Sequence, residues 1–391
     1  MKGEWSSNGS SKDGRRYSRG CYTRRNICGC AAAWLSRRGA PHLPAPDQYV
    51  ILHARTVRQV IDRDAVQAFR KEIVVTGGKV PLAMVRKRDA GTGGETKAPV
   101  LLVHGFGQNR YAWHLPARSF ANHLARAGFD VFNLDLRGHG RSRHLGAHRC
   151  RGFDDYVQGD LPAAVEEVQA LSGGRPVWLV GHSLGGLVAC AAAPHLAGDV
   201  AGIVSIGSPY HFSRGSFTLG ALTSFFRALA LARLANAPSL PLAPVGKAMR
   251  LLRGFAESPL YPLPLRGWHA GSLEPHVFEQ HVRLAFDRIA LAEINDLFAW
   301  GRSWEDQRRF GGRQADCVER FEAMDVPLLV IAGSNDDLAP PASVRPGFLR
   351  SRASDKTYRV LPLGHIDLLV GRDAPRLTWS LVDEWLTKRA A

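Results

Sequence analysis

The chain has 391 residues, of which 45% are hydrophobic and 22% charged, so it can bury a sizeable core and has the make-up of a soluble globular protein. No uninterrupted apolar run is long enough to span a bilayer: the nearest, Ser216 to Ala235, carries Arg227 and Arg233 and reads as a helix packed on protein. The formal charge of +16 is uneven, with nine basic side chains against Glu4 and Asp13 in residues 1–40, which excludes an acidic, self-solvating chain and marks a basic tail with non-specific attraction for anions.

The elements are taken in chain order. Residues 1–65 read as a basic, disordered extension rich in Ser, Gly and Arg. Within it, Arg24-Arg25 and the apolar stretch Ile27 to Leu35 have the start of an export signal. Arg37-Arg38 is the wrong flank for cleavage, so a cytoplasmic location is expected. Cys21, Cys28 and Cys30 lack the second pair that a zinc site needs, and Cys150, Cys190 and Cys317 are scattered. Neither a disulfide framework nor a metal is expected.

From residue 66 the pattern changes. Glu72–Thr76 and Leu82–Val85 read as strands around a Gly77-Gly78 turn. Short apolar strands then alternate with helices: Val100–Val103, a helix near Arg118–Ala127, Val131–Leu134, a helix near Tyr156–Leu171, Val177–Val180, a helix from about Ser183 to His195, and Ile203–Ile206. The alternation stops and resumes with Leu328–Ile331, Tyr358–Leu361 and a helix near Ala374–Lys388. Continuously apolar strands separated by helices predict an α/β fold with a doubly wound, mostly parallel sheet. The interruption, residues 210–316, is proline-punctuated and rich in Phe and Trp, and reads as an inserted helical cap. Residues 66–209 and 317–391 are then the two parts of the core. Packing helices at the flank of the sheet are the alternative reading of the insertion.

In such sheets, ligand-binding residues gather past the carboxyl ends of the strands. Gly181-His182-Ser183-Leu184-Gly185 sits at such an end and opens a helix, which makes Ser183 a candidate nucleophile on a tight strand-to-helix turn. Serine needs a base and the base needs a carboxylate. His365 follows the last strand, and Asp336 follows Leu328–Ile331, in the order Ser, Asp, His that this context uses; Asp337 is the neighbouring rival. His104, His139 and His182 read as scaffolding, and Asp367 as a structural hydrogen bonder. The N–H groups of Leu184 and Phe106 are the expected oxyanion donors, Phe106 lying in the loop His104-Gly105-Phe106-Gly107. That loop lacks the lysine of a P-loop and the spacing of a dinucleotide site, so no cofactor is expected.

Together, His104-Gly105-Phe106-Gly107, Asp135-Leu136-Arg137-Gly138-His139-Gly140-Arg141-Ser142, the serine turn, Gly333-Ser334-Asn335-Asp336 and Gly364-His365 resemble the α/β-hydrolase superfamily over about Glu72 to Lys388. Trp113, Phe153-Asp154-Asp155-Tyr156, Asp160-Leu161-Pro162-Ala163-Ala164 and His365-Ile366-Asp367-Leu368-Leu369 are similar to the acid lipase and polyhydroxyalkanoate synthase branch. The synthases use cysteine where this chain has Ser183. Haloalkane dehalogenases and epoxide hydrolases use aspartate there, so serine argues against both.

The resemblance implies a serine esterase or lipase-like hydrolase acting on a small hydrophobic ester. Acyl transfer, carbon–carbon bond hydrolysis with the same triad, and a non-catalytic ligand-binding homologue are the alternatives. Transient lipid-surface contact is compatible with this reading, and no specific nucleic-acid partner is expected. The oligomeric state is left open.

Overall fold

The computed structural model describes residues 49–211, 240–258, 260–261, 266–290, 296 and 313–390. The expected helix over Ser216–Ala235, most of the aromatic side chains of the insertion and the basic tail up to residue 48 lie outside the described residues.

Nine strands form one sheet: β1 (Val50–Asp62), β2 (Ala65–Val75), β3 (Ala83–Asp89), β4 (Pro99–Val103), β5 (Asp130–Asp135), β6 (Val177–His182), β7 (Val200–Ile206), β10 (Leu328–Gly333) and β11 (Lys356–Leu361). Their order is β1-β2-β3-β5-β4-β6-β7-β10-β11. Strands β1 to β3 and the β3–β5 pair are antiparallel. Every pair from β5 to β11 is parallel. Between β7 and β10, β8 (Leu240–Pro241) and β9 (Arg288–Ile289) make a separate two-stranded ribbon.

The period-2 geometry of a strand explains the apolar runs. In β4, Leu101 and Val103 face the core shared with helices Leu161–Leu171 and Leu184–Ala192. Val100 and Leu102 face the opposite core, with helix Phe120–Arg126, Trp379 and Trp385. Both faces are covered, so every β4 residue is buried. The doubly wound reading of the sequence therefore holds.

One boundary needs correction. The composition predicts a disordered extension as far as residue 65, yet β1 is a 13-residue strand paired with β2 along its length. Arg55 and Arg58 interrupt the apolar alternation there because β1 is an edge strand with a single buried residue, where basic side chains block further pairing. Among the described residues, no helix is long and apolar enough to cross a membrane.

Candidate active site

Strand β6 ends at His182, and the helix Leu184–Ala192 begins two residues later. Ser183 makes the reversal with φ 53° and ψ −120°, a conformation that costs a residue bearing a Cβ about 1–3 kcal/mol. Its N–H donates to the Ile206 carbonyl at 2.9 Å, tying the turn to β7. The flanking glycines are steric requirements. A Cβ on Gly181 would run into the Gly185–Gly186 peptide, and one on Gly185 would overlap the Val103 carbonyl. Ser183 keeps partial exposure while His182 and Leu184 are buried.

His365 and Asp336 meet beside this turn. His365 Nδ1 lies 2.8 Å from Asp336 Oδ2. The Asp336 side chain is fully buried, and its other oxygen accepts the N–H groups of Leu338 and Ala339 at 2.8 and 2.7 Å. A buried carboxylate needs such donors. With Nδ1–H donating to Asp336, Nε2 of a neutral His365 is free to accept a proton. Gly207, just past β7, borders the pair: a Cβ there would stand 3.5 Å from both Asp336 Oδ2 and His365 Nδ1. Asp337 goes elsewhere and accepts the Arg266 N–H at 3.2 Å.

The remaining histidines and Asp367 brace the loops. His182 Nε2–H donates to the His365 carbonyl at 3.1 Å, and the two rings lie 4.7 Å apart. Burial, with His365 and His281 nearby, holds the His182 pKa well below its ordinary value, so its ring is neutral. His104 Nε2 accepts the Leu136 N–H at 3.2 Å, which leaves Nδ1–H to donate to the Gly105 carbonyl at 3.0 Å. Burial brings the His104 pKa down to about 4. His139 Nε2 lies 3.3 Å from the Tyr156 hydroxyl. Asp367 Oδ2 accepts the N–H groups of His269 and Gly364 at 2.7 and 3.0 Å, fixing the approach to His365.

The loop His104-Gly105-Phe106-Gly107 passes against the serine turn, since a Cβ on Gly105 would fall 3.3 Å from Ser183 Cβ. Among the described residues, neither the Phe106 nor the Leu184 N–H donates to an acceptor. Two unsatisfied donors flanking a serine are suited to a developing oxyanion.

Sequence reasoning missed the groups that hold this loop. Gln108 Nε2 lies 3.3 Å from the buried His281 Nε2. Asn109 caps the 3₁₀ turn Arg110–Ala112 by accepting the Tyr111 N–H, 2.9 Å, while its amide donates to Asp287 Oδ2, 3.1 Å. An Asn after a Gly-rich loop is a local capping signal, but its partner 178 residues away has none.

The alpha/beta hydrolase fold family matches residues 98–371 of this chain, well over half of it. The chain belongs to that family. Among its relatives, the α/β hydrolase resembles the "Poly(3-hydroxyalkanoate) polymerase subunit PhaC" of Haloferax mediterranei, 24% identical over 352 residues that cover 85% of this chain and 69% of the other. Two solved structures share its fold. A carboxyl esterase from Bacillus coagulans superimposes with a TM-score of 0.57 at 14% identity, covering 87% of this chain and all of that one. The monoacylglycerol lipase of Paleococcus ferrophilus gives 0.53 at 20% identity, covering 79% and 99%.

Proposed function

We propose that this α/β hydrolase is a cofactor-independent serine hydrolase that cleaves carboxylic esters. The observation that carries the reading is the 2.8 Å contact between His365 Nδ1 and Asp336 Oδ2 beside the strained Ser183 turn. The Ser183 hydroxyl attacks the ester carbonyl as its proton passes to His365 Nε2. The N–H groups of Leu184 and Phe106 hold the tetrahedral oxyanion. Collapse expels the alcohol, which takes the proton from His365 and leaves an acyl-serine. Water, deprotonated by His365, then releases the acid and restores the serine. Asp336 orients the imidazole and stabilises its cation throughout.

A hydrophobic acyl group fits the surroundings. Leu242 and Ile289, from the inserted segment 210–316 that we take as a cap, stand against Gly107 in the oxyanion loop. The outer side of that segment exposes Val245, Leu251, Leu252, Phe255 and Leu260 beside Lys247 and Arg250, a combination suited to transient contact with a lipid surface. By their names, the two enzymes that share the fold act on carboxyl esters and on monoacylglycerols. The test is a p-nitrophenyl ester series with wild type, Ser183→Ala and His365→Ala, together with labelling by a fluorophosphonate. Chain-length-dependent hydrolysis and labelling, both lost in Ser183→Ala, are expected. Hydrolysis that survives both substitutions rules the mechanism out.

A further inference from the structure

Strands β1 to β3 carry charge on both faces, and the two faces are balanced differently. On one face Glu72 stands opposite Arg86. It accepts from Arg70 and Arg88 at 3.1 Å and from Arg86 at 3.3 Å, while Asp130 takes the other end of Arg86 at 2.7 Å. Arg70, Arg86 and Arg88 there each have a carboxylate.

On the other face Arg55 stands directly opposite Lys71, and Lys71 directly opposite Lys87. Like charges in direct cross-strand register destabilise a sheet. Lys87 is 1% exposed, its Nζ donating to Asn122 Oδ1 at 2.6 Å and lying 3.2 Å from His114 Nδ1. Lys71 is half-buried, and the charged groups that act on it are Arg110, Arg141 and Arg55, all positive. Those acting on Lys87 are Lys71 and Arg110. On the same face Asp89 accepts from Gln67 Nε2 at 2.7 Å, and near Arg110 the Asp135 carboxylate is already engaged by the Arg110 guanidinium and by the N–H groups of Arg110 and Arg141, both at 2.9 Å. Beside it the Arg110 guanidinium lies over the Tyr111 ring, 4.6 Å from its centroid, and that ring stacks on His114.

Among the described residues no carboxylate forms an ion pair with the exposed Arg55, the half-buried Lys71 or the buried Lys87, and a bound anion would relieve a row of like charges across three strands. We propose that this face is a binding site for a phosphate group, received by Arg55, Lys71 and Arg110 above the buried Lys87. Phosphate fits better than a carboxylate because a dianion answers several converging cations, and guanidinium forks match its oxygens. Burial and the surrounding cations draw the Lys71 pKa down to about 8. The proposal does not rest on the Ser183 chemistry.

The test uses the full chain. Titration calorimetry with pyrophosphate is expected to show binding that weakens at least about ten-fold, or 1.4 kcal/mol, in Lys71→Met and in Arg55→Met. Lys247→Met, on the inserted segment, and Ser183→Ala should bind as wild type does. In phosphate-free buffer the two site variants should melt at or above the wild-type temperature, because a like-charge pair is gone. Pyrophosphate should raise the melting temperatures of wild type, Lys247→Met and Ser183→Ala, and raise those of the two site variants less. Sedimentation with phosphatidic acid vesicles separates the sources of the phosphate: vesicle binding that requires Lys71 and Arg55 assigns a lipid headgroup, and pyrophosphate binding without it assigns a soluble phosphate ester. Absence of binding in both arms, or binding unchanged in both site variants, overturns the proposal.

Discussion

The Asp287 carboxylate accepts the side-chain N–H of Asn109 at 3.1 Å, and this joins the inserted segment to the loop expected to hold the oxyanion. The same oxygen accepts the Gly140 N–H at 2.8 Å, and the Asp287 N–H donates to the Gly107 carbonyl at 2.8 Å. One residue thus fastens two loops at the carboxyl edge of the sheet. Asp287→Ala leaves the Gly140 N–H without its acceptor, at a cost of about 1–3 kcal/mol, while the Asn109 amide keeps only its bond to the Leu284 carbonyl at 3.0 Å. Ester hydrolysis should lose about ten-fold in kcat with a smaller change in KM, as expected when a loop used in the transition state is loosened. Steady-state kinetics on a soluble ester checks this, and an unchanged kcat would separate Asp287 from the oxyanion loop.

Asp336→Asn removes the charge that steadies a cationic His365, and kcat should fall by about 10⁴. Asp337→Asn changes only a contact to the Arg266 N–H and should stay within about two-fold of wild type. Comparing the two variants on one substrate decides which carboxylate matters.

Ser183→Gly and Ser183→Ala should both be inactive, yet they should differ in stability. Ser183 holds φ at 53°, which glycine adopts freely and alanine does not. The glycine variant is expected to be the more stable by roughly 1 kcal/mol, offset in part by unfolded-chain entropy. Paired denaturant melts measure the difference.

Glu167 supplies a pH dependence of stability. It is 7% exposed, and burial lifts its pKa from 4.5 to about 7, against the lowering effect of a hydrogen bond from the Gly77 backbone. Between those two values the folded chain holds a proton that the unfolded chain has lost, so stability falls as pH rises across the window and the cost is full above it. Glu167→Gln should therefore match wild type near pH 4 and exceed it at pH 8, by on the order of 1 kcal/mol after allowance for partial solvent access. Thermal melts across that range provide the test.

The sequence made the parallel half of the sheet legible because strands buried on both faces must be continuously apolar, as in Pro99–Val103 and Leu328–Gly333. The candidates Ser183 and Asp336 were legible because each follows such a strand at a glycine-marked turn, whereas His365 follows the edge strand β11, which has no buried residue, and was marked by Gly364 alone. The edge strand Val50–Asp62 was hidden because arginines suited to a sheet edge resemble those of a solvated tail. Asp287 was hidden for another reason: its role arises from a contact between segments distant in the chain, and no local pattern of letters encodes it. The Arg55–Lys71–Lys87 row shares that origin, since only the strand register sets those side chains next to one another.

The placement of β10 also constrains how the protein comes to exist. Strand β10 joins the sheet by pairing Leu328 with Ile203 of β7, across the whole inserted segment. Closing so long a loop is entropically costly, and parallel pairings of this kind form slowly. Strands β4 to β7 and the serine turn lie earlier in the chain and need no such closure, whereas Asp336 and His365 reach their places only when β10 and β11 dock. A refolding chain is therefore expected to build the Ser183 turn before Asp336 and His365 stand beside it. Gain of hydrolytic activity would mark the last docking step of folding, later than the recovery of most of the sheet.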